Sequence, residues 1–274
     1  MKKLDFNKIY VIESLKEKDI KTGQLLFNDI IKRRLEQKEL YDNCELLMPT
    51  SKETFFECIE HVRKETILKL VNPIIHFELH GLEEGIKVSN NDIITWEEIQ
   101  FKLIQLNFNT KCNLFITMAT CVGGYIYTLI KPSLRSPFWG FVGPFENVYP
   151  DEVLENYSAF YDEFIQTLDF NKAVKALNNS NLNGKSRFKF YNTEYAFNVA
   201  YENYEKKYLT EEIIEKRLNA GLIEAKKHNE LKTWSDDAIK KSLKFLMVDS
   251  KDLLKENMMT NFFMWDMFPE NKPK

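Results

Sequence analysis

Short apolar runs that alternate with amphipathic helical stretches restrict this chain to a wound α/β sheet. Ile9 to Ile12, Cys44 to Met48, the run from Pro73 to Leu79 and Asn113 to Ala119 each have strand length and strand composition. Between them, Leu25, Leu26, Ile30, Ile31 and Leu35 recur at helical spacing over about 24–38. Phe55, Cys58, Ile59, Val62, Ile67, Leu68 and Leu70 do so over about 52–70, and a third helix falls near 96–107. Thr50 or Ser51, and Thr95, stand where N-caps belong. A polar stretch through Gly85 and Asn90–Asp92 reads as a loop, with Ile93-Ile94 a small strand or ordered segment. Trp139 to Val142 and Phe188 to Tyr191 supply later strands. Nearly continuous apolar strands with intervening helices predict a mostly parallel central sheet covered on both faces.

Beyond residue 153 the pattern turns helical. Val153, Tyr157, Phe160, Tyr161, Phe164 and Leu168 form one apolar stripe, residues 171–178 form a short helix, and 194–258 read as further helices. Turns are expected near Gly221 and near Thr233–Asp236, with Ser235 as a cap. This places an α/β domain over 1–192 and a helical extension or partner-binding subdomain over 193–274. The apolar segment Met258–Phe268 is read as core packing, with a partner or membrane-surface contact as the alternative.

Charge and cysteine usage remove several classes of function. Net charge is -3 and the lysine clusters are interleaved with acids, so no nucleic-acid surface is predicted. Cys44, Cys58, Cys112 and Cys121 lack C-x-x-C or zinc-knuckle spacing. His76 and His80 have the spacing of helical zinc ligands but lie in a strand pattern without H-E-x-x-H, and no phosphate loop is present. No metal or cofactor is therefore expected. Met1–Asp5 reach charge before any apolar leader core, and no run approaches a membrane span. The expected setting is cytoplasmic and reducing, which keeps a thiol free.

The chemistry sits where two of the runs stop. Leu79-His80-Gly81 and Ala119-Thr120-Cys121-Val122-Gly123-Gly124 each end an apolar run in a reactive side chain beside glycine. Strand C-termini of a parallel sheet form the edge at which ligands bind. His80 and Cys121 are thus candidates for base and thiol nucleophile, and the Gly81 and Cys121 amides for an oxyanion site. His76, Glu78 and His80 share a strand face. Glu78 is a candidate to support His80, and His76 reads as a packed histidine.

These motifs, in this order, resemble the caspase-like cysteine peptidases, which include caspases, legumains, gingipains, separases and bacterial caspase-like proteins. The likeness covers roughly residues 5–180. Phe138 to Pro144, Phe160-Tyr161 and Ala173 to Asn178 are similar to the bacterial branch. The resemblance implies a three-layer caspase-like fold and a Cys121–His80 dyad cleaving protein or peptide substrates. It also implies a regulated role in bacterial defence, with a sensor or regulatory protein as partner. It further implies an acidic specificity residue after the first strand, where Glu13 stands, with Glu146 a second acidic candidate for binding a basic side chain. Val122-Gly123 departs from the pairs that usually follow the family nucleophile, which leaves a catalytically inactive protein-binding scaffold as the alternative. A different α/β hydrolase would draw its histidine from later in the chain, where only His228 is found, at what reads as an exposed helix end.

Overall fold

The computed structural model describes residues 6–180, 186–249 and 251–273. Met1–Asp5, read above as lacking a leader core, lie outside the described residues. The chain divides into two compact units, Met1–Leu129 with Ser136–Thr193, and Ile130–Arg135 with Glu194–Lys274.

The first unit is α/β. Its strands are β1 (Lys8–Ser14), β2 (Cys44–Leu47), β3 (Pro73–Leu82), β4 (Gly85–Lys87), β5 (Ile93–Thr95), β6 (Phe115–Met118), β7 (Gly140–Pro144) and β8 (Phe188–Asn192). The main path runs β2-β1-β3-β6-β7-β8, parallel throughout except for the antiparallel β7–β8 edge. Its helices are α1 (Thr22–Leu26), α2 (Arg33–Glu36), α3 (Lys52–Leu68), α4 (Trp96–Asn109), α5 (Pro150–Thr167) and α6 (Phe170–Asn179). A π-helical segment, Phe27–Lys32, joins α1 to α2.

Period-two alternation sends the two sets of strand side chains to opposite helix layers. Ile9, Val11, Ile74 and Phe115 meet Leu26, Ile31, Leu35, Tyr157, Phe160 and Leu177 in one continuous core. On the other face, Phe77 stacks on Phe55 of α3 at 5.9 Å between ring centroids. Ser51 and Thr95 start α3 and α4 with reciprocal capping bonds to Thr54 and Glu98. Thr66, polar in an otherwise apolar stripe, is buried with its hydroxyl donating to the Arg63 carbonyl.

The stretch after His80 is more ordered than its polarity suggests. β3 runs on to Leu82 and pairs antiparallel with β4, which pairs with β5. Ile86, Val88 and Ile94 are buried and hold this ribbon down. Gly85 permits its closest approach, since a Cβ there would lie 2.1 Å from the Ile94 carbonyl oxygen.

The second unit contains α7 (Thr193–Tyr208, whose first residue belongs to the first unit), α8 (Glu211–Ala225), α9 (Asp236–Lys244) and α10 (Lys251–Phe262). Ser235 caps α9 through the Ala238 amide. Gly221 does not mark a turn. It lies inside α8, where a Cβ would come 3.0 Å from the Leu243 side chain, so it serves close helix packing. Phe262 and Met264 are buried, and Phe262 and Phe263 pack on the Phe197 ring. No described helix is long and apolar enough to cross a membrane.

Candidate active site

β3 and β6 are neighbours in register from Ile74↔Phe115 to Phe77↔Met118, which carries their C-terminal ends to one place. Ala119 extends the pairing by donating its amide to the Phe77 carbonyl at 2.8 Å. The two ends then touch. A Cβ on Gly81 would lie 1.8 Å from the Cys121 carbonyl oxygen and 3.2 Å from Thr120 Cβ. No side chain larger than hydrogen fits there without moving backbone.

Hydrogen-bond alternation orients the Gly81 amide. Val88 donates to Asp92 and Trp96 donates to Glu84, so the even positions of β4 face β5. Its odd positions, Gly85 and Lys87, therefore bond Leu82 and His80 of β3. Gly81 is left pointing to the opposite edge, the side where Phe77 accepts from Ala119 and where Cys121 lies. Among the described residues the Cys121 amide also has no protein acceptor.

Cys121 follows β6 in a tight turn. Gly123 donates to the Thr120 carbonyl and Tyr125 to the Val122 carbonyl, opening a 3-10 turn over Gly123–Leu129. The Gly123 and Tyr125 amides are thus used within the turn. Val122, β-branched, is held at φ 48°, a conformation costing about 1–2 kcal/mol for a residue with a Cβ. Its amide donates to the Glu146 carbonyl at 3.1 Å. The half-buried Cys121 thiol donates to the Val148 carbonyl at 3.7 Å. Among the described residues the buried Thr120 hydroxyl has no hydrogen-bond partner.

His80 is 40% exposed at its side chain, and its Nε2 lies 2.8 Å from Asp19 Oδ2. Asp19 comes from the loop after β1, at the end of the charged stretch Lys16-Glu17-Lys18-Asp19. Partial burial opposes its ionisation. The His80 hydrogen bond, the Lys16 amide and nearby Lys18 outweigh that and hold the carboxyl below its ordinary value. No hydrogen bond joins His80 to Cys121 among the described residues.

Beneath His80 on the same strand face lies a sealed polar column. Glu78 Oε1 accepts from Thr22 at 2.8 Å, while its Oε2 lies 3.3 Å from His76 Nε2. His76 Nδ1 meets Thr117 Oγ1 at 2.8 Å, and Thr117 meets the Tyr161 hydroxyl at 2.8 Å. Burial depresses His76 to about 3. It also pushes Glu78 well above the carboxylate range, with Glu13 adding to the rise against the Thr22 bond. Burial thus pushes both members of the pair toward their uncharged forms. Glu78 lies inside this column and supports the strand beneath His80; the carboxylate on the His80 ring is Asp19.

The two specificity candidates stand differently, Glu13 near the end of β1 and Glu146 just after β7. Glu13 is buried, and both its oxygens accept from Gln24, from the amide at 3.0 Å and the side chain at 2.7 Å. The expectation that Glu13 selects a basic substrate side chain is corrected on that ground. Glu146 has a 64% exposed side chain, 4.0 Å from Arg187, with its carbonyl bonded to the residue after Cys121. Tyr125, Tyr127 and Phe145 form a ring cluster beside it, and Phe145 lies over Gly124, where a Cβ would come within 2.7 Å of the ring. His228 is exposed in the second unit.

Glu45, His61 and Glu65 alone among the described residues have metal-ligand spacing. Their charges are already matched. Lys8 lies 2.8 Å from Glu45 and 2.6 Å from Glu65, and Lys69 lies 2.6 Å from Glu65. Desolvation works against ionisation of Glu65, but the two lysines and the Tyr10 hydroxyl bring it down to about 2. This is an ion-pair network at the strand edge opposite the site. Compared with models of protein families and with curated proteins, the chain matches none.

Proposed function

We propose that this chain is a cysteine endopeptidase of the caspase-like type that hydrolyses peptide bonds through Cys121 and His80. The observation that carries the reading is the Gly81–Cys121 contact, which brings the base-bearing and thiol-bearing strand ends together at the C-terminal edge of the sheet. In the proposed reaction His80 takes the Cys121 proton and the sulfur attacks the substrate carbonyl carbon. The oxyanion that forms is met by the Gly81 and Cys121 amides. His80 returns the proton to the leaving amine, and water then releases the acyl group from sulfur. In this reading the His80–Cys121 hydrogen bond forms only in the substrate complex, since catalytic hydrogen bonds are often unformed in ligand-free sites.

Of the two acidic candidates, exposed Glu146 is the one that can meet a basic substrate side chain, in competition with Arg187. A reducing cytoplasmic setting suits the free thiol, and a defence effector controlled by a sensor protein is the biological role we attach to this reading.

A panel of cysteine-directed peptide probes with basic, acidic and aromatic P1 side chains tests it. Saturable adducts at Cys121 that require His80 support the peptidase. A protein-binding scaffold is the second reading, favoured by the Cys121 thiol being bonded to Val148 and His80 to Asp19. Folded protein that forms no adduct across the panel selects the scaffold.

A further inference from the structure

We infer that Asp19 is the positioning residue for His80, holding the imidazole with its proton on Nε2 so that Nδ1 is the nitrogen left for the Cys121 thiol. This rests on the peptidase reading for its catalytic consequence but on the His80–Asp19 geometry for its substance.

Asp19 Oδ2 lies 2.8 Å from His80 Nε2 and also accepts from the Lys16 amide at 2.9 Å. An ionised carboxylate only accepts, so the hydrogen it shares with the imidazole belongs to the ring nitrogen. That assigns the tautomer: in neutral His80 the lone pair is on Nδ1. During acylation the Cys121 proton would pass to Nδ1 and the resulting imidazolium would stay anchored to Asp19 through Nε2. The same Nδ1 would then deliver the proton to the leaving amine, closing the proton balance without a second base.

The loop that presents Asp19 is built to hold still. The Asp19 amide donates to the Lys16 carbonyl at 3.0 Å, closing a turn on itself. Lys21 Nζ bonds the Leu15 carbonyl at 2.7 Å and the Lys16 carbonyl at 2.6 Å, pinning the start of the loop from inside. Ser14 fastens the end of β1 by donating to the Pro49 carbonyl while accepting from the Ser89 amide. A second group, fixed by backbone rather than by the ring it serves, is the arrangement that orients a catalytic imidazole.

The test pairs nuclear magnetic resonance of protein labelled with nitrogen-15 histidine with kinetics of Cys121 adduct formation by a peptide acyloxymethyl ketone. His80 signals are assigned by their loss in His80→Gln. The wild type is expected to carry the proton on Nε2. Asp19→Ala is expected to populate the other tautomer and to slow adduct formation at saturating probe by about tenfold or more, with half-saturation little changed. Asp19→Asn keeps an acceptor without the charge and is expected to preserve the tautomer with a smaller loss of rate. It also serves if Asp19→Ala misfolds. A wild-type proton on Nδ1, or an Asp19→Ala rate within about twofold of wild type, overturns the inference. If no peptide probe labels wild-type Cys121, the peptidase reading fails by itself, and the tautomer of His80 in wild type and variants then decides for or against Asp19 alone.

Discussion

His76 and His80 stand on one face of one strand, and nothing in their chemistry distinguishes them, yet the fold gives them opposite work. His76 is fully buried, edge-on to the Tyr157 ring at 4.8 Å, and bonded to Thr117. His80 emerges where β3 leaves the main sheet, keeps 40% of its side chain exposed and meets an ionised carboxylate. The first is a satisfied core histidine kept neutral by burial. The second has an acceptor on Nε2 and a partly exposed side chain, which the proposed general-base role requires. Position along the strand relative to the sheet edge, more than residue type, separates structure from chemistry.

Substituting each histidine should break the comparison most sharply. His80→Ala is expected to cut peptide-probe reactivity by about 10²–10⁴ while leaving the fold intact. His76→Ala is expected to cost about 3–5 kcal/mol of stability, because it opens a cavity and takes one buried hydrogen-bond partner from each of Thr117 and Glu78. Peptide-probe kinetics and urea unfolding of both variants separate the two effects, and equal loss of both properties in both variants would contradict the division. Next in size is Gly81→Ala, whose methyl meets the Cys121 carbonyl. It should abolish adduct formation and shift the unfolding midpoint downward, read by intact-mass analysis and thermal melting.

The neutral Glu78–His76 pair should show in the pH dependence of stability. Glu78 is raised, so its contribution is whole below the unfolded value of 4.5 and falls as pH rises, by about 1.4 kcal/mol per unit until Glu78 itself ionises. His76 is lowered, so its contribution is whole above 6.5 and falls as pH drops toward about 3. Between 4.5 and 6.5 the two slopes oppose each other. Glu78→Gln should remove one of them, leaving stability that climbs more steeply with pH through this window and exceeds wild type at neutrality. Denaturant midpoints at pH 5, 6 and 7 measure this, and parallel curves would contradict the neutral pair. The smallest expected effect is in the turn, where Val122→Gly should stabilise by less than about 1 kcal/mol, since relief of the positive φ is offset by the freedom of glycine in the unfolded chain.

The strands, helices and most caps of the first unit were legible because burial on both sheet faces makes nearly continuous apolar runs, as at Ile74–Leu79 and Phe115–Ala119. His80 and Cys121 were legible as run ends beside glycine. Asp19 was not, because its role comes from a loop folding back over β3 across sixty-one positions, and no local pattern encodes that distance. Glu13 misled for the converse reason. A carboxylate near a strand end reads as a buried or rim acid for a basic side chain, and only the arrival of Gln24 at the start of the following helix shows both its oxygens taken. Ile93-Ile94 was legible as β5, whereas its partner β4 was hidden by the charged turn Glu83-Glu84, which masks the buried Ile86. Gly221 carries the same lesson, since glycine serves close packing as readily as turning.

The most direct test of thiol activation compares Cys121 with Cys44 and Cys58 within one molecule. Burial raises the Cys44 thiol to about 11 and raises Cys58 as well, so both are poor nucleophiles at neutral pH and act as internal references. Isotope-coded iodoacetamide at pH 7, read by peptide mass spectrometry, should modify Cys121 fastest in wild type and lose that lead in His80→Ala. Cys121 reacting no faster than Cys44 and Cys58, with no change on removing His80, would contradict the account.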